Sequence, residues 1–291
     1  MSKLGFVGLG KMGSALAIRA VQTGYSVIGY NRTKANVSQL EDRIEMVPSI
    51  GDLCEESDTV IVSVTDDLAD EDVTLGNHGL SDHMRSNRTI LDFSTITPMT
   101  SRRISEKLKR KNIYRLETPV MGGPSKALRG ELVAIVGGDK GRYEENLETI
   151  RVFASRIFFG GNIGDALTLK LSLNLLVAGY AEMIAEGLTM VKKAKIDPKL
   201  FIQVLNATPY GTEFSETKGI KMTEGTFEPS FYLKNMRKDL YLLVQSSQEH
   251  GVFLPTLGSL FETYIAGLSM DLGDQDYSAI YRYLLSVNKL D

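Results

Sequence analysis

The chain has one cysteine, Cys54, only three histidines, and a formal net charge of −3 over 291 residues. A single cysteine excludes an internal disulfide and suits a reducing compartment. The histidines, His78, His83 and His250, lie outside every motif discussed below, so histidine-dependent hydride transfer is not expected. No spacing of His, Cys, Asp and Glu suggests a metal site. The weak net charge gives no overall footprint for nucleic acid or for an acidic membrane surface. One local run of cations, Arg102, Arg103, Lys107, Lys109, Arg110 and Lys111, reads as a solvated helix face crowding toward the C-terminal end, where cations are favoured. No uninterrupted apolar run has the length of a membrane span, and the opening residues show no signal-peptide pattern. A cytoplasmic protein with no membrane and no nucleic-acid partner is expected. Apolar residues make up 43% and charged residues 24%, which excludes wholesale disorder and leaves room for two domains with a substantial core.

What is present begins at once. The apolar run Leu4-Gly5-Phe6-Val7 leads into Gly8-Leu9-Gly10-Lys11-Met12-Gly13 and then Ala15-Leu16-Ala17. This is a G-x-G-x-x-G signature at the turn from a first strand into a first helix. There Gly8 permits a tight turn, Gly10 lets backbone approach a phosphate, and Gly13 lets helix and strand pack closely. The positive end of the helix then faces the pyrophosphate of a dinucleotide. The next strand, Tyr25 to Tyr30, ends in Asn31-Arg32-Thr33-Lys34. An NAD site wants an acidic side chain here for the ribose hydroxyls. This chain offers donors and cations instead, and a guanidinium fits a phosphate in a bidentate way with Thr33 adding a hydroxyl. The expected cofactor is NADP.

Further apolar runs, Thr59 to Val64, Thr89 to Phe93 and Leu132 to Val136, alternate with amphipathic segments, as strands buried on both faces do. The fold class that follows is α/β: a doubly wound, Rossmann-type, mostly parallel sheet over residues 1–162. Val64 and Thr65, at the end of the first of these runs, are placed with the cofactor-binding residues. After Gly164 helical patterns take over, giving an all-α substrate and dimerisation domain over 163–291. The longest helix is expected from Asp165 to Ala194, with the acid at its start and Lys192, Lys193 and Lys195 at its end. Period-two alternation over Leu167 to Asn174 points locally to a strand, but length and the lack of turn residues decide for helix.

That helix carries the chemistry. Between Ala166 and Ala181 it is apolar almost all the way round and is expected to be buried, with Lys170 its one charged side chain. Asn174 lies one turn on, on the same face. Burial lowers a lysine pKa by up to about 3–5 units, which suits proton exchange with a substrate oxygen near neutral pH. The alternative has Lys170 snorkelling to solvent. Other candidates are poor. The pair Tyr30 and Lys34, spaced as in another class of reductases, sits at the adenosine end, and Cys54 reads as a helix residue without a positioned base.

Four separated motifs resemble the β-hydroxyacid dehydrogenases, the family that includes hydroxyisobutyrate dehydrogenase, tartronate semialdehyde reductase and the glyoxylate/succinic semialdehyde reductases. They are Phe6 to Gly13 followed by Asn31-Arg32-Thr33; Asp92-Phe93-Ser94-Thr95-Ile96-Thr97-Pro98; Pro119-Val120-Met121-Gly122-Gly123; and Lys170 with Asn174. Together they cover almost the whole chain. Lys238-Asp239-Leu240 is similar to the family's Lys-Asp-Leu, whose lysine approaches the cofactor. The resemblance implies that Lys170 and Asn174 form the catalytic pair, with Asn174 also binding substrate, that Thr95 and Lys238 lie at the cofactor, and that Ser94, Met121, Gly122 and Gly123 line the substrate site. Read from the residues alone, Ser94 and Thr95 sit at a strand's carboxyl end, as ligand residues or as a helix cap before Pro98. Gly122 and Gly123 either turn N–H groups toward an anion or make a plain tight turn. Lys238 alone would be an ordinary solvated helix lysine.

Two positions depart from the family pattern. Met121 stands where the family has a serine whose hydroxyl binds carboxylate, and a thioether cannot replace that donor. Leu173 stands where many members carry a second asparagine and phosphogluconate dehydrogenases a histidine. The implied activity is hydride transfer between NADP(H) and a small, anionic β-hydroxyacid or its semialdehyde or keto acid, in a homodimer or homotetramer. Imine reduction on the same fold and a non-catalytic NADP-binding role are the alternatives, the first opposed by Lys170 and the second supported by Met121.

Overall fold

A computed structural model of the chain describes residues 3–33, 40 and 43–290. Contacts divide it into two units, residues 1–170 and 171–291. The division falls within a helix, two turns after the expected boundary at 162, because Leu167 joins the core of the first unit.

The first unit is a nine-stranded sheet with helices. Its strands are β1 (Lys3–Val7), β2 (Ser26–Tyr30), β3 (Glu45–Met46), β4 (Thr59–Val62), β5 (Thr89–Asp92), β6 (Tyr114–Glu117), β7 (Val120–Met121), β8 (Leu132–Gly137) and β9 (Ala154–Gly161). They run in the order β3-β2-β1-β4-β5-β6-β8-β7, with β9 paired to β8. Pairing is parallel from β3 through β6, and β8 runs antiparallel to β6 and β7. Alternate residues serve opposite faces: Phe6, Ile61 and Leu91 join one core cluster, and Val7, Val60, Val62 and Ile90 join the other. That is the double winding expected from continuously apolar strands. The helices of this unit are α1 (Lys11–Gln22), α2 (Ile50–Glu56), α3 (Asp67–Leu75), α4 (Leu80–His83), α5 (Pro98–Arg110), α6 (Pro124–Arg129) and α7 (Lys140–Arg151).

Four strands, β3, β6, β7 and β9, are not among those expected from apolar runs. The sequence of β6 is Tyr-Arg-Leu-Glu, and both its charges are buried, so no apolar run marks it. The outer strand β9 leaves Phe158 exposed. The cationic segment is α5, as expected; its C-cap Lys111 donates to the Ser81 carbonyl at 2.9 Å and pairs with Asp82 at 3.0 Å. Cys54 lies buried in α2, where burial pushes its thiol up to about 12 and removes it as a nucleophile.

A long helix, α8 (Asp165–Lys193), begins in the first unit and continues into the second. The second unit continues with α9 (Pro198–Asn206), α10 (Ile220–Glu224), α11 (Leu233–Glu249), α12 (Pro255–Ser269) and α13 (Ile280–Val287). Its core gathers Leu171, Ala178, Ala181, Ala185 and Leu188 of α8 with Leu240 and Leu243 of α11 and Leu260 and Tyr264 of α12. Burial of α8 all the way round is not observed. Leu169, Leu173, Leu176, Met183 and Met190 are exposed along one face, because the helix is packed on one side and apolar on both. By length and composition α8 is also long and apolar enough to cross a membrane. Lys170 and Asn174 interrupt its apolar residues, so no uninterrupted run marks it in the sequence.

Glu182 of α8 is buried, accepts from Thr263 Oγ1 at 3.0 Å, and has no hydrogen-bond partner on Oε2. Burial pushes its carboxyl up to about 7, with Glu186 one turn on adding to the shift. The folded state therefore keeps a proton that the unfolded chain, titrating near about 4.3, has released. Stability is expected to fall as pH rises between those two values, and Glu182→Gln should flatten that slope in thermal melts taken across the range.

Candidate active site

The glycine turn has the geometry a dinucleotide phosphate requires. Gly8 adopts φ +88°, and a side chain there would overlap the Ser63 carbonyl; one at Gly13 would overlap the carbonyl of Gly8. At Gly10 the space a Cβ would enter is open. Gly10 caps α1 with no side-chain bond, and no acid stands in the first turn, so the positive end of the helix is open to an anion. Lys11 is exposed, Met12 packs against the core, and Leu9 is buried with its N–H donating to Asn31 Oδ1 at 2.9 Å.

That bond gives Asn31 its place. Its Nδ2 donates to the Thr33 carbonyl at 2.8 Å, so the side chain clasps the end of β2 to the glycine turn. Arg32 and Thr33 are left exposed beside it, and Lys34 falls outside the described residues. The site residues of this region thus divide into one that shapes the turn and two that face outward from it.

At the carboxyl ends of β4 and β5 a buried charge cluster fixes the loops. Arg115 of β6 pairs with Asp92 of β5 and, at 3.1 and 2.6 Å, with both oxygens of Asp70 on α3; all three side chains are buried. Despite burial, Arg115 holds Asp70 below the usual carboxylate range. Burial, with the Asp70 charge nearby, pushes Asp92 up to about 7. Asp92 Oδ1 accepts from the Ser94 N–H at 2.8 Å, and Ser94 Oγ accepts from the Val64 N–H at 2.9 Å. Ser94 is therefore buried and joins the ends of two neighbouring strands. On the segments so joined, Thr65 is exposed and Thr95 half-buried. Neither Ser94 nor Thr95 caps the helix before Pro98; Thr97 does, accepting from the Thr100 N–H at 3.2 Å.

The third motif lies on β7 and the turn after it. Met121 is half-buried at the strand's end, Gly122 takes φ +119°, and Gly123 caps α6. The left-handed backbone at Gly122 reverses the chain there. Lys170, on α8, is 8% exposed, and its Nζ lies 3.3 Å from Met121 Sδ. The lysine does not snorkel: its ammonium reaches the loop that carries Met121.

In the second unit, Asn174 Nδ2 donates to Asp239 Oδ2 at 2.6 Å, and Lys238 Nζ pairs with Asp239 Oδ1 at 2.8 Å, both from α11. Since a carboxylate only accepts, the Asn174 nitrogen must face Asp239 and its oxygen the other way. Asp239, Asp92, Asp70, Arg115 and Glu117 received no role from sequence. Asp92 and Asp239 stand inside two of the motifs, while Asp70, Arg115 and Glu117 carry only their charge as a signal.

Residues 3–161 match the family described as the NAD binding domain of 6-phosphogluconate dehydrogenase, and residues 164–284 the NAD-binding region of NADP-dependent 3-hydroxyisobutyrate dehydrogenase. The chain belongs to the β-hydroxyacid dehydrogenase family. As a β-hydroxyacid dehydrogenase it is an oxidoreductase of the NAD(P)-dependent, hydroxyacid-dehydrogenase type. It is 27% identical over 279 residues to glyoxylate/succinic semialdehyde reductase 1 of Arabidopsis thaliana, covering 96% of both chains. It is 28% identical to the human cytokine-like nuclear factor N-PAC, of which it spans about half, 51%. Among solved structures, 3-hydroxyisobutyrate dehydrogenase from Salmonella typhimurium superposes with a TM-score of 0.87 at 21% identity, over 97% of this chain and 100% of that one. An imine reductase from a Pseudomonas species superposes at 0.60 with 16% identity, over 97% and 98%. At these identities the superpositions establish the β-hydroxyacid dehydrogenase fold and nothing finer.

Proposed function

We propose that the protein is an NADPH-dependent reductase of a small semialdehyde or keto acid, working reversibly as a β-hydroxyacid dehydrogenase in a reducing, cytoplasmic setting. The observation that carries this reading is a buried lysine whose ammonium faces the 119–123 loop. A nicotinamide cofactor held at the glycine turn of residues 8–13 would supply or take the hydride. Lys170 gives a proton to the alkoxide as it forms and takes it back from the alcohol in reverse. Asn174, held by Asp239, turns its amide oxygen toward a substrate hydroxyl. Gly122 and Gly123 present backbone N–H groups to the anionic end. Met121 offers no donor, so the carboxylate depends on those amides, and the preferred substrate is less polar at that end than a serine-bearing loop would select. The name of the plant relative, a glyoxylate/succinic semialdehyde reductase, supports this substrate class.

Arg32 and Thr33, exposed at the end of β2, support NADP through a guanidinium and a hydroxyl on the 2′-phosphate. The exposed apolar face of α8, from Leu169 to Met190, supports a homodimer or homotetramer, since a helix exposes polar residues where nothing covers it.

Lys170→Ala should lower turnover of succinic semialdehyde by about 100-fold or more while NADPH affinity is kept, and comparable activity in that variant removes the assignment. If wild-type chain reduces a cyclic imine and no semialdehyde, the imine-reductase reading replaces this one. Tight NADPH binding with no turnover of any aldehyde or hydroxyacid would instead leave a binding protein. Arg32→Ala should raise the KM for NADPH by about ten- to a hundredfold and leave that for NADH nearly unchanged. Light scattering of the purified chain should give twice or four times the monomer mass; a monomer at micromolar concentration contradicts the oligomer.

A further inference from the structure

Glu117 ends β6 two residues before the loop that carries Met121, and it is almost wholly buried. Its Oε1 accepts from the Gly164 N–H at 2.7 Å. Its Oε2 is buried without a hydrogen-bond partner. Gly164 holds φ +99°, and α8 begins one residue later. Room for the carboxylate comes from Gly137 of β8: a Cβ there would stand 2.8 Å from Glu117 Oε2 and 3.0 Å from Ala166 Cβ. A buried carboxyl is costly, and burial pushes that of Glu117 upward, so retaining an acid here asks for a reason.

The connectivity supplies one. From Glu117 the chain runs through Pro119 to Met121, whose sulfur meets the Lys170 ammonium at 3.3 Å. From Lys170, α8 runs back to Gly164, whose N–H returns to Glu117. One carboxylate thus ties the root of the loop to the root of the lysine's helix, and the sulfur–ammonium contact closes the ring at the far side. We propose that Glu117 is a positioning residue that sets the Lys170 ammonium against the 119–123 loop. This rests on Lys170 being the proton donor, and a misplacement of about 1 Å at such a group costs about 100-fold in rate.

The test compares Glu117→Ala, Glu117→Gln and Gly137→Ala in the full chain. Three readouts are taken: kcat and KM for succinic semialdehyde, NADPH affinity by fluorescence, and the rate at which acetic anhydride modifies Lys170, read by mass spectrometry against exposed Lys140. Glu117→Ala should lower kcat by about 10- to 100-fold, hold NADPH affinity within about twofold, and raise Lys170 modification by about fivefold or more. Glu117→Gln keeps an acceptor for Gly164 and should stay within about threefold of wild type in kcat. Gly137→Ala, which crowds the carboxylate without removing it, should follow Glu117→Ala. The proposal is overturned if Glu117→Ala matches wild type in kcat and Lys170 modification, or if Glu117→Gln falls as far as Glu117→Ala. Should Glu117→Ala fail to fold, a folded Gly137→Ala with wild-type kcat and labelling overturns it equally. If wild-type chain turns over no aldehyde, the functional reading fails, while the labelling of Lys170 still decides the role of Glu117.

Discussion

The guanidinium of Arg115 is the constraint on which the first unit's loops depend. It lies under the carboxyl ends of the central strands, between two acids that could not both be buried without it. Removing one partner from such a cluster is strongly destabilising, because a charge is left behind without a counterpart. Through Asp92 the cluster holds the Ser94 amide, and through Ser94 the Val64 amide, so the ends of β4 and β5 keep one arrangement. Two residues along β6, Glu117 extends the same logic to the start of α8. Apolar packing builds this sheet; buried charge decides where its loops go.

What was legible in the sequence followed from period and punctuation. The strand-turn-helix at Val7 to Ala15 showed itself through three glycines: Gly8 and Gly13 have a steric reason in the structure, and Gly10 leaves open the space a ligand would approach. The length of α8 outweighed the alternation at Leu167 to Asn174, since a segment of that length without turn residues has nowhere to break. The strands β3, β6, β7 and β9 were not legible: β6 buries Arg115 and Glu117 and looks from its residues like a surface segment, and β9 leaves most of its residues exposed or half-buried. The two-residue β7 exists only through its pairing with β8.

The candidate site divides along the same line. Residue types named Lys170, Asn174 and the glycines, since their chemistry can be read from one position. Residues that act through others could not be named that way. Asp239 has meaning only through its contact with Asn174, 65 positions away, and Asp92 only through Ser94 and Arg115. Asn31 shows the reverse: its position at the end of β2 marks it as a cofactor-binding candidate, and the structure adds that its side chain braces the glycine turn.

The continuity of α8 has one further consequence. Lys170 ends one unit and Asn174 belongs to the next, yet no loop separates them. Four residues of α-helix rise about 6 Å, and that spacing belongs to the helix alone. The backbone positions that carry ammonium and amide are therefore held one helical turn apart, a spacing that no loop is there to change.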